Sequence, residues 1–164
     1  MADDFDAFYA VSYHRVLKQL VLVTGELAEA EDVVQEAFAR ASVRWERLRR
    51  YELPEAWVRR VALNLAAQAA RRLRRQARAL LRLGPPPPVA ELEAAELDLA
   101  NALRALSLGQ RQVVVLHYLA GAPVDEVAVQ LGVPVGTVKS RLARGRRTLA
   151  RLLAPASEGV VNDG

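Results

Sequence analysis

The chain has 164 residues, 52% of them hydrophobic and 26% charged, with a net charge of +4, a pI near 9.9 and no cysteine. That is enough apolar material for one ordinary core or two small helical ones, two fitting the sequence better, and the missing thiols exclude a disulfide framework, a thiolate zinc site and a thiol redox switch. The longest apolar stretch near the amino end, residues 16–23, is interrupted by Lys18 and Gln19 and is far too short to cross a bilayer, so direct membrane insertion is not expected and a reducing cytoplasm is compatible.

From Phe5 to about Thr24, the apolar positions Phe8, Val11, Val16, Leu20 and Val23 predict an amphipathic helix ended by Gly25. The next helix, about Leu27 to Trp45, puts Ala30, Val34, Ala37, Phe38 and Ala41 on one side. Asp32, Gln35, Glu36 and Ala39 fall at i, i+3, i+4 and i+7 on another. Glu26, Glu29, Glu31, Asp32 and Glu36 make this an acidic block without a cation. A solvated face, with acids complementing the helix amino end, would account for it without any partner.

Between Arg44 and Trp57, arginines alternate with Trp45, Tyr51 and Trp57. Charge beside stacking surfaces suits exposed bases, although both indoles read first as core anchors. Pro54 opens a helix whose apolar side carries Val58, Val61, Ala62, Leu65, Ala69 and Leu73 and whose other side carries Arg60, Asn64, Arg71 and Arg75. Residues 56–83 hold Arg59, Arg60, Arg71, Arg72, Arg74, Arg75, Arg78 and Arg82 and no acid. Asn64 is either buried or, in line with these arginines, a base or phosphate contact.

Gly84 and the four prolines after it fit neither a helix nor a central strand and favour an extended linker. The expected organisation is all-α: a helical domain over 5–76, a linker over 77–93, a second helical domain over 94–153 and a disordered tail over 154–164.

The second domain carries the sharpest signal, Glu126-Val-Ala-Val-Gln-Leu-Gly-Val-Pro-Val-Gly-Thr-Val-Lys-Ser-Arg-Leu142. Small Ala128 permits close helix approach and Gly132, four residues on, supplies the turn. Val127, Leu131, Val138 and Leu142 would pack the two helices together, and Pro123 and Pro134 mark where they begin. Lys139, Ser140, Arg141 and Arg144 are left for another surface. From Pro134 to Arg151 there are six cations, Lys139, Arg141, Arg144, Arg146, Arg147 and Arg151, and no acid. A phosphate-lined groove supplies the missing counter-charge, so the segment reads as a DNA-binding helix-turn-helix rather than a hairpin with a solvated basic face.

Taken together, these segments resemble a bacterial RNA polymerase sigma factor of the extracytoplasmic-function (ECF) group. Ala30-Glu-Asp-Val-Val-Gln-Glu-Ala-Phe38 resembles the family's grip on the clamp helices of core RNA polymerase. Ala56-Trp-Val-Arg-Arg-Val-Ala-Leu-Asn-Leu-Ala66 resembles its promoter minus-ten reader, and Gly136-Thr-Val-Lys-Ser-Arg-Leu142 its minus-thirty-five reader. Three departures stand out: Pro123 and Pro134 occupy caps that are commonly serine or threonine, Gln68-Ala-Ala stands where an aspartate is common, and Ser107 replaces a usual proline. The resemblance implies core-polymerase contacts by Asp32, Gln35 and Glu36, minus-ten contacts by Arg60, Asn64, Arg71 and Arg75, and minus-thirty-five contacts by Lys139, Ser140, Arg141, Arg144 and Arg147. It also implies an anti-sigma partner.

Among the residues, no paired carboxylates, phosphate loop or metal-ligand spacing accompanies the two histidines, His14 and His117, so neither enzyme nor cofactor chemistry is expected. The alternatives are a helix-turn-helix regulator with an amino-terminal dimerisation domain and an RNA-binding protein using its arginine-rich helices.

Overall fold

The computed structural model describes residues 2–79 and 94–154, and among these every regular element is helical. The proline-rich stretch 84–89 and the tail from 155 on lie outside the described residues. The amino-terminal domain contains α1 (Ala2–Thr24), α2 (Leu27–Val43), the single turn α3 (Trp45–Leu48) and α4 (Pro54–Ala79). Helix α1 stops at Gly25, whose φ of +78° is left-handed and whose amide donates to the Val21 carbonyl at 2.8 Å. Helix α4 runs to Ala79.

The predicted apolar face of α2 is the buried one: Ala30, Val34, Ala37, Phe38 and Ala41 are closed off from solvent. Trp45 is buried as expected, stacked on Phe8 at 4.8 Å between ring centroids and edge-on to Phe5 at 5.4 Å. Trp57 is only half-buried.

The carboxy-terminal domain contains α5 (Ala94–Arg104), α6 (Leu108–Val114), a π-helical turn over Val115–Leu119, α7 (Val124–Leu131) and α8 (Val135–Leu153). Ser107 caps α6, its hydroxyl oxygen accepting from the Gln110 amide at 3.3 Å. Pro123 and Pro134 sit at the caps of α7 and α8 in extended conformation, their carbonyls accepting from Val127 and Val138. Gly132, at φ +64°, ends α7, and the Val133 amide returns to Ala128 O at 3.1 Å, the paired bonding of a Schellman turn. These turns set the two helices of the motif against each other through buried Val127, Val138 and Leu142.

Rather than forming two separate cores, the two domains share one continuous cluster of buried apolar side chains. The reason is that α1 and α4 each bury a second face. Helix α4 turns Val58 and Ala62 into its own domain and also buries Arg59, Leu63 and Ala66, and it packs against α7. Helix α1 meets α5, α6 and the π-helical turn.

Polar contacts fix this docking. Arg111 donates to the Val23 carbonyl at 2.7 Å across the interface and, within its own domain, to Leu103 O at 2.9 Å and Leu106 O at 3.2 Å. Arg104 donates to Gly25 O. Two cations therefore cap the negative carboxyl end of α1. Arg104 lies so close over Gly25 that a Cβ there would stand 3.2 Å from its Nε. Burial, with Arg104 as a second cause, holds the Arg111 pKa below its ordinary value, but a guanidinium stays charged at any physiological pH.

Removing Arg111 strands the carbonyls it serves in a partly buried setting. Arg111→Ala should lower the unfolding free energy by about 2–3 kcal/mol, measured as a shifted denaturant midpoint. Arg111→Lys should recover only part of this, because a compact ammonium cannot span carbonyls that the guanidinium reaches with three separate nitrogens.

Candidate nucleic-acid interface

Helix α8 buries Val138, Leu142 and Gly145 and exposes Lys139, Ser140, Arg144, Arg146, Arg147 and Arg151. None of these cations forms an ion pair among the described residues. Arg147 reaches only Ala143 O of its own helix, at 3.4 Å, and the Ser140 hydroxyl donates to Thr137 O at 3.1 Å. Arg144, Arg147 and Arg151 line an open cleft of about 550 Å³ beside Gln110.

Arg141 stands apart from the others. It is half-buried over α6, where a Cβ on Gly109 would stand 2.9 Å from the guanidinium carbon. Of the five residues expected on the minus-thirty-five face, four are exposed and Arg141 is half-buried. Gly109 and Gly145 carry no sequence signal for a role here, yet both govern this surface. A Cβ on Gly145 would approach Val114 Cγ2 to 2.9 Å, so the missing side chain lets α8 press onto α6.

On α4, Arg60, Asn64, Arg71 and Arg75 are all exposed and follow one line along the helix, which removes the buried reading of Asn64. Beside the start of this line is a cleft of about 310 Å³ between α2, α3 and α4, at the small end of ligand-pocket sizes. Its walls are Arg40, Arg44, Arg47, Leu48, Tyr51, Trp57 and Val61. The Arg44 guanidinium lies 6.0 Å from the Trp57 ring centre and that of Arg47 lies 6.0 Å from Tyr51, within cation–π range. The sequence alternates these charged and aromatic residues but does not show that they enclose a space, nor that Arg40 of α2 forms one wall.

Arg59 is not part of this face. It is 6% exposed, with Nε donating to Gln19 Oε1 and Nη2 to Glu55 Oε1, both at 2.7 Å. Glu55 also pairs with Arg15. Burial lowers the Arg59 pKa while Glu55 and Glu126 oppose the shift, so the charge of this arginine is balanced by Glu55 inside the protein rather than presented to solvent.

Asp32, Gln35 and Glu36 lie exposed on α2, away from its buried face. Glu36 accepts from Arg40 Nε at 2.7 Å, which joins the acidic stripe to the wall of the arginine–aromatic cleft. Among the described residues no group of histidines and carboxylates could hold a metal ion, and no helix is long and apolar enough to cross a membrane.

The family model for Sigma-70 region 2 matches residues 9–76, and that for Sigma-70, region 4 matches residues 96–149. With this arrangement of helices, the chain belongs to the sigma-70 family of transcription initiation factors. Its relatives place it in the ECF group. RNA polymerase sigma-E factor of Streptomyces coelicolor is 32% identical over 151 residues, covering 91% of this chain and 84% of that protein. ECF RNA polymerase sigma factor SigM of Mycobacterium tuberculosis is 34% identical over 151 residues, covering 90% and 76%. The solved structure of CnrH in complex with the cytosolic domain of CnrY matches with a TM-score of 0.61 at 27% identity, covering 93% of this chain and 89% of that one. The sigma factor RpoE from Bartonella quintana, solved with the anti-sigma factor NepR, shares the fold with a TM-score of 0.68 at 23% identity, covering 92% and 96%. The protein is thus a promoter-directing sigma factor, and the regulator alternative is not favoured.

Gly145→Val should force α8 off α6 and lower stability by about 1–3 kcal/mol, seen as a lower melting temperature. Its loss of affinity for duplex DNA should exceed that of a charge-neutral exposed change such as Ala150→Ser.

Proposed function

We propose that this chain binds core RNA polymerase through Asp32, Gln35 and Glu36, reads the minus-thirty-five element with α8 and captures the unpaired minus-ten strand along α4. The observation that carries this reading is the arginine–aromatic cleft at the head of the Arg60–Asn64 line, with the acidic stripe on the helix that forms its other wall.

A base extruded from the duplex can enter the cleft, stack on Trp57 or Tyr51 and sit against the guanidinium groups of Arg44 and Arg47. Arg60, Asn64, Arg71 and Arg75 then follow the strand to which that base belongs. Capture offsets the few kcal/mol of unstacking, so this subunit needs no nucleotide hydrolysis to favour melting. At the other element, Ser140 and Arg144 lie near base edges, while Lys139, Arg141 and Arg147 hold phosphates. Nucleotide chemistry belongs to the polymerase; the chain itself is a non-catalytic, cytoplasmic subunit without cofactors. By analogy with its structural neighbours, an anti-sigma factor is its regulatory partner.

Reading both elements requires the docked domains to separate. The elements are about 25 base pairs apart, roughly 85 Å at 3.4 Å per step, whereas a compact chain of this length is only about 40 Å across. Binding to polymerase therefore replaces the capping of α1 by Arg104 and Arg111 with contacts to the larger enzyme.

Glu36→Arg should leave the helical circular-dichroism spectrum unchanged and reduce holoenzyme formation by ~10²-fold or more, since like charges brought together cost several kcal/mol. Undiminished run-off transcription by this variant would remove the docking claim. Arg144→Ala should weaken discrimination at one minus-thirty-five base pair by about 1–3 kcal/mol, read from competition among singly substituted promoters.

A further inference from the structure

A cavity of about 630 Å³ lies where α1 meets the carboxy-terminal domain, a size typical of small-molecule sites. Leu17, Val21 and Leu22 of α1 and Leu27 of α2 form one wall, and Leu99 of α5 and Leu119 of the π-helical turn form the other. The lining is therefore complete only while the two domains are docked. None of the residues assigned above to DNA or polymerase belongs to it.

The chemistry of the walls narrows what fits. Every apolar lining residue is aliphatic, so a flat aromatic ligand finds no phenyl or indole face to stack on, whereas a flexible alkyl chain gains from burial alone. The polar groups gather on α1, where His14, Arg15 and Lys18 are exposed and form the rim. Lys18 pairs with Glu96 of α5 across the domain boundary. Arg15 pairs with Glu55, but that carboxylate is shared with Arg59, which leaves the rim with an excess of positive charge among the described residues. Long basic side chains also offer an apolar stem to an alkyl chain and a charged tip to an anion.

We propose that this cavity binds a single-chain fatty acid, with the alkyl chain between the aliphatic walls of both domains and the carboxylate at Arg15 and Lys18, and that the bound acid holds the domains docked. A ligand whose site is built from two domains binds the docked state alone, so occupancy draws the chain away from the separated state. The site stands on the cavity itself; its regulatory consequence rests on the reading that polymerase binding separates the domains.

The first test is calorimetric titration of the free chain with decanoate and laurate, both below their micellar concentrations. Saturable binding of one acid per chain is expected. Laurate should bind roughly fifteen-fold more tightly than decanoate, since each buried methylene strengthens binding about four-fold. Dodecyltrimethylammonium, which has the same chain length and a cationic head, should bind roughly ten-fold more weakly than laurate. Leu119→Glu places a carboxylate in the wall at an exposed position, so the fold is retained, and it should abolish laurate binding. The second test adds core polymerase. Laurate at about ten times its Kd should lower the affinity of the wild-type chain for polymerase about ten-fold and leave that of Leu119→Glu unchanged.

Equal affinity for the two acids, or for laurate and its cationic counterpart, would overturn the fatty-acid assignment. Heat that appears only above the micellar concentration, or no heat at all, would overturn the site and leave the groove to an apolar helix of a protein partner. Tight laurate binding that leaves polymerase affinity unchanged would keep the site, overturn its regulatory consequence and remove the reading that the domains must separate.

Discussion

The docking of the two domains depends on the carboxyl end of α1. Its last carbonyls have no partner within the helix, as at every helix end, and here Arg104 and Arg111 of the other domain supply the missing donors. Gly25 makes this possible in two ways. Its left-handed backbone ends the helix, and its missing side chain leaves room for Arg104 to lie across it. Because Arg111 also binds Leu103 O and Leu106 O, one side chain fixes the turn between α5 and α6 and the placement of that turn on α1.

This arrangement divides the arginines into two groups by environment. Arg59, Arg104 and Arg111 hold the interior contacts, where each has an oxygen partner that makes burial of the charge tolerable. The cations of α8 and the exposed line on α4 have no carboxylate among the described residues. The same residue type therefore acts as a structural bond in one place and leaves an uncompensated field in another, and only the second group can draw in a polyanion. The acidic stripe of α2 faces solvent on the far side of its buried face, so a basic surface and an anionic one can be engaged together.

The helix-turn-helix was legible in sequence because its constraints are local: a glycine that permits φ +64°, prolines at both caps and apolar residues at helical spacing all fall within about twenty residues. The buried face of α2 and the exposure of Asp32, Gln35 and Glu36 followed from periodicity for the same reason. Arg59 was not legible. It sits next to Arg60 in an acid-free run, and its partners Gln19 and Glu55 are a helix away and just outside that run. Nor was the half-burial of Arg141, which depends on Gly109 of a helix more than thirty residues earlier.

The sequence by itself determined that the chain is all helical, where the helix-turn-helix lies and which stripes are acidic or basic, since helical periodicity, glycine turns and capping act over a few residues. Tertiary structure alone decided that the two domains share one core, that the arginine–aromatic segment closes into a cleft with Arg40, and which arginines are structural. Those outcomes depend on pairs of groups tens of residues apart meeting at distances of about 3 Å. No local pattern reports whether a guanidinium will find a carbonyl there or be left facing water.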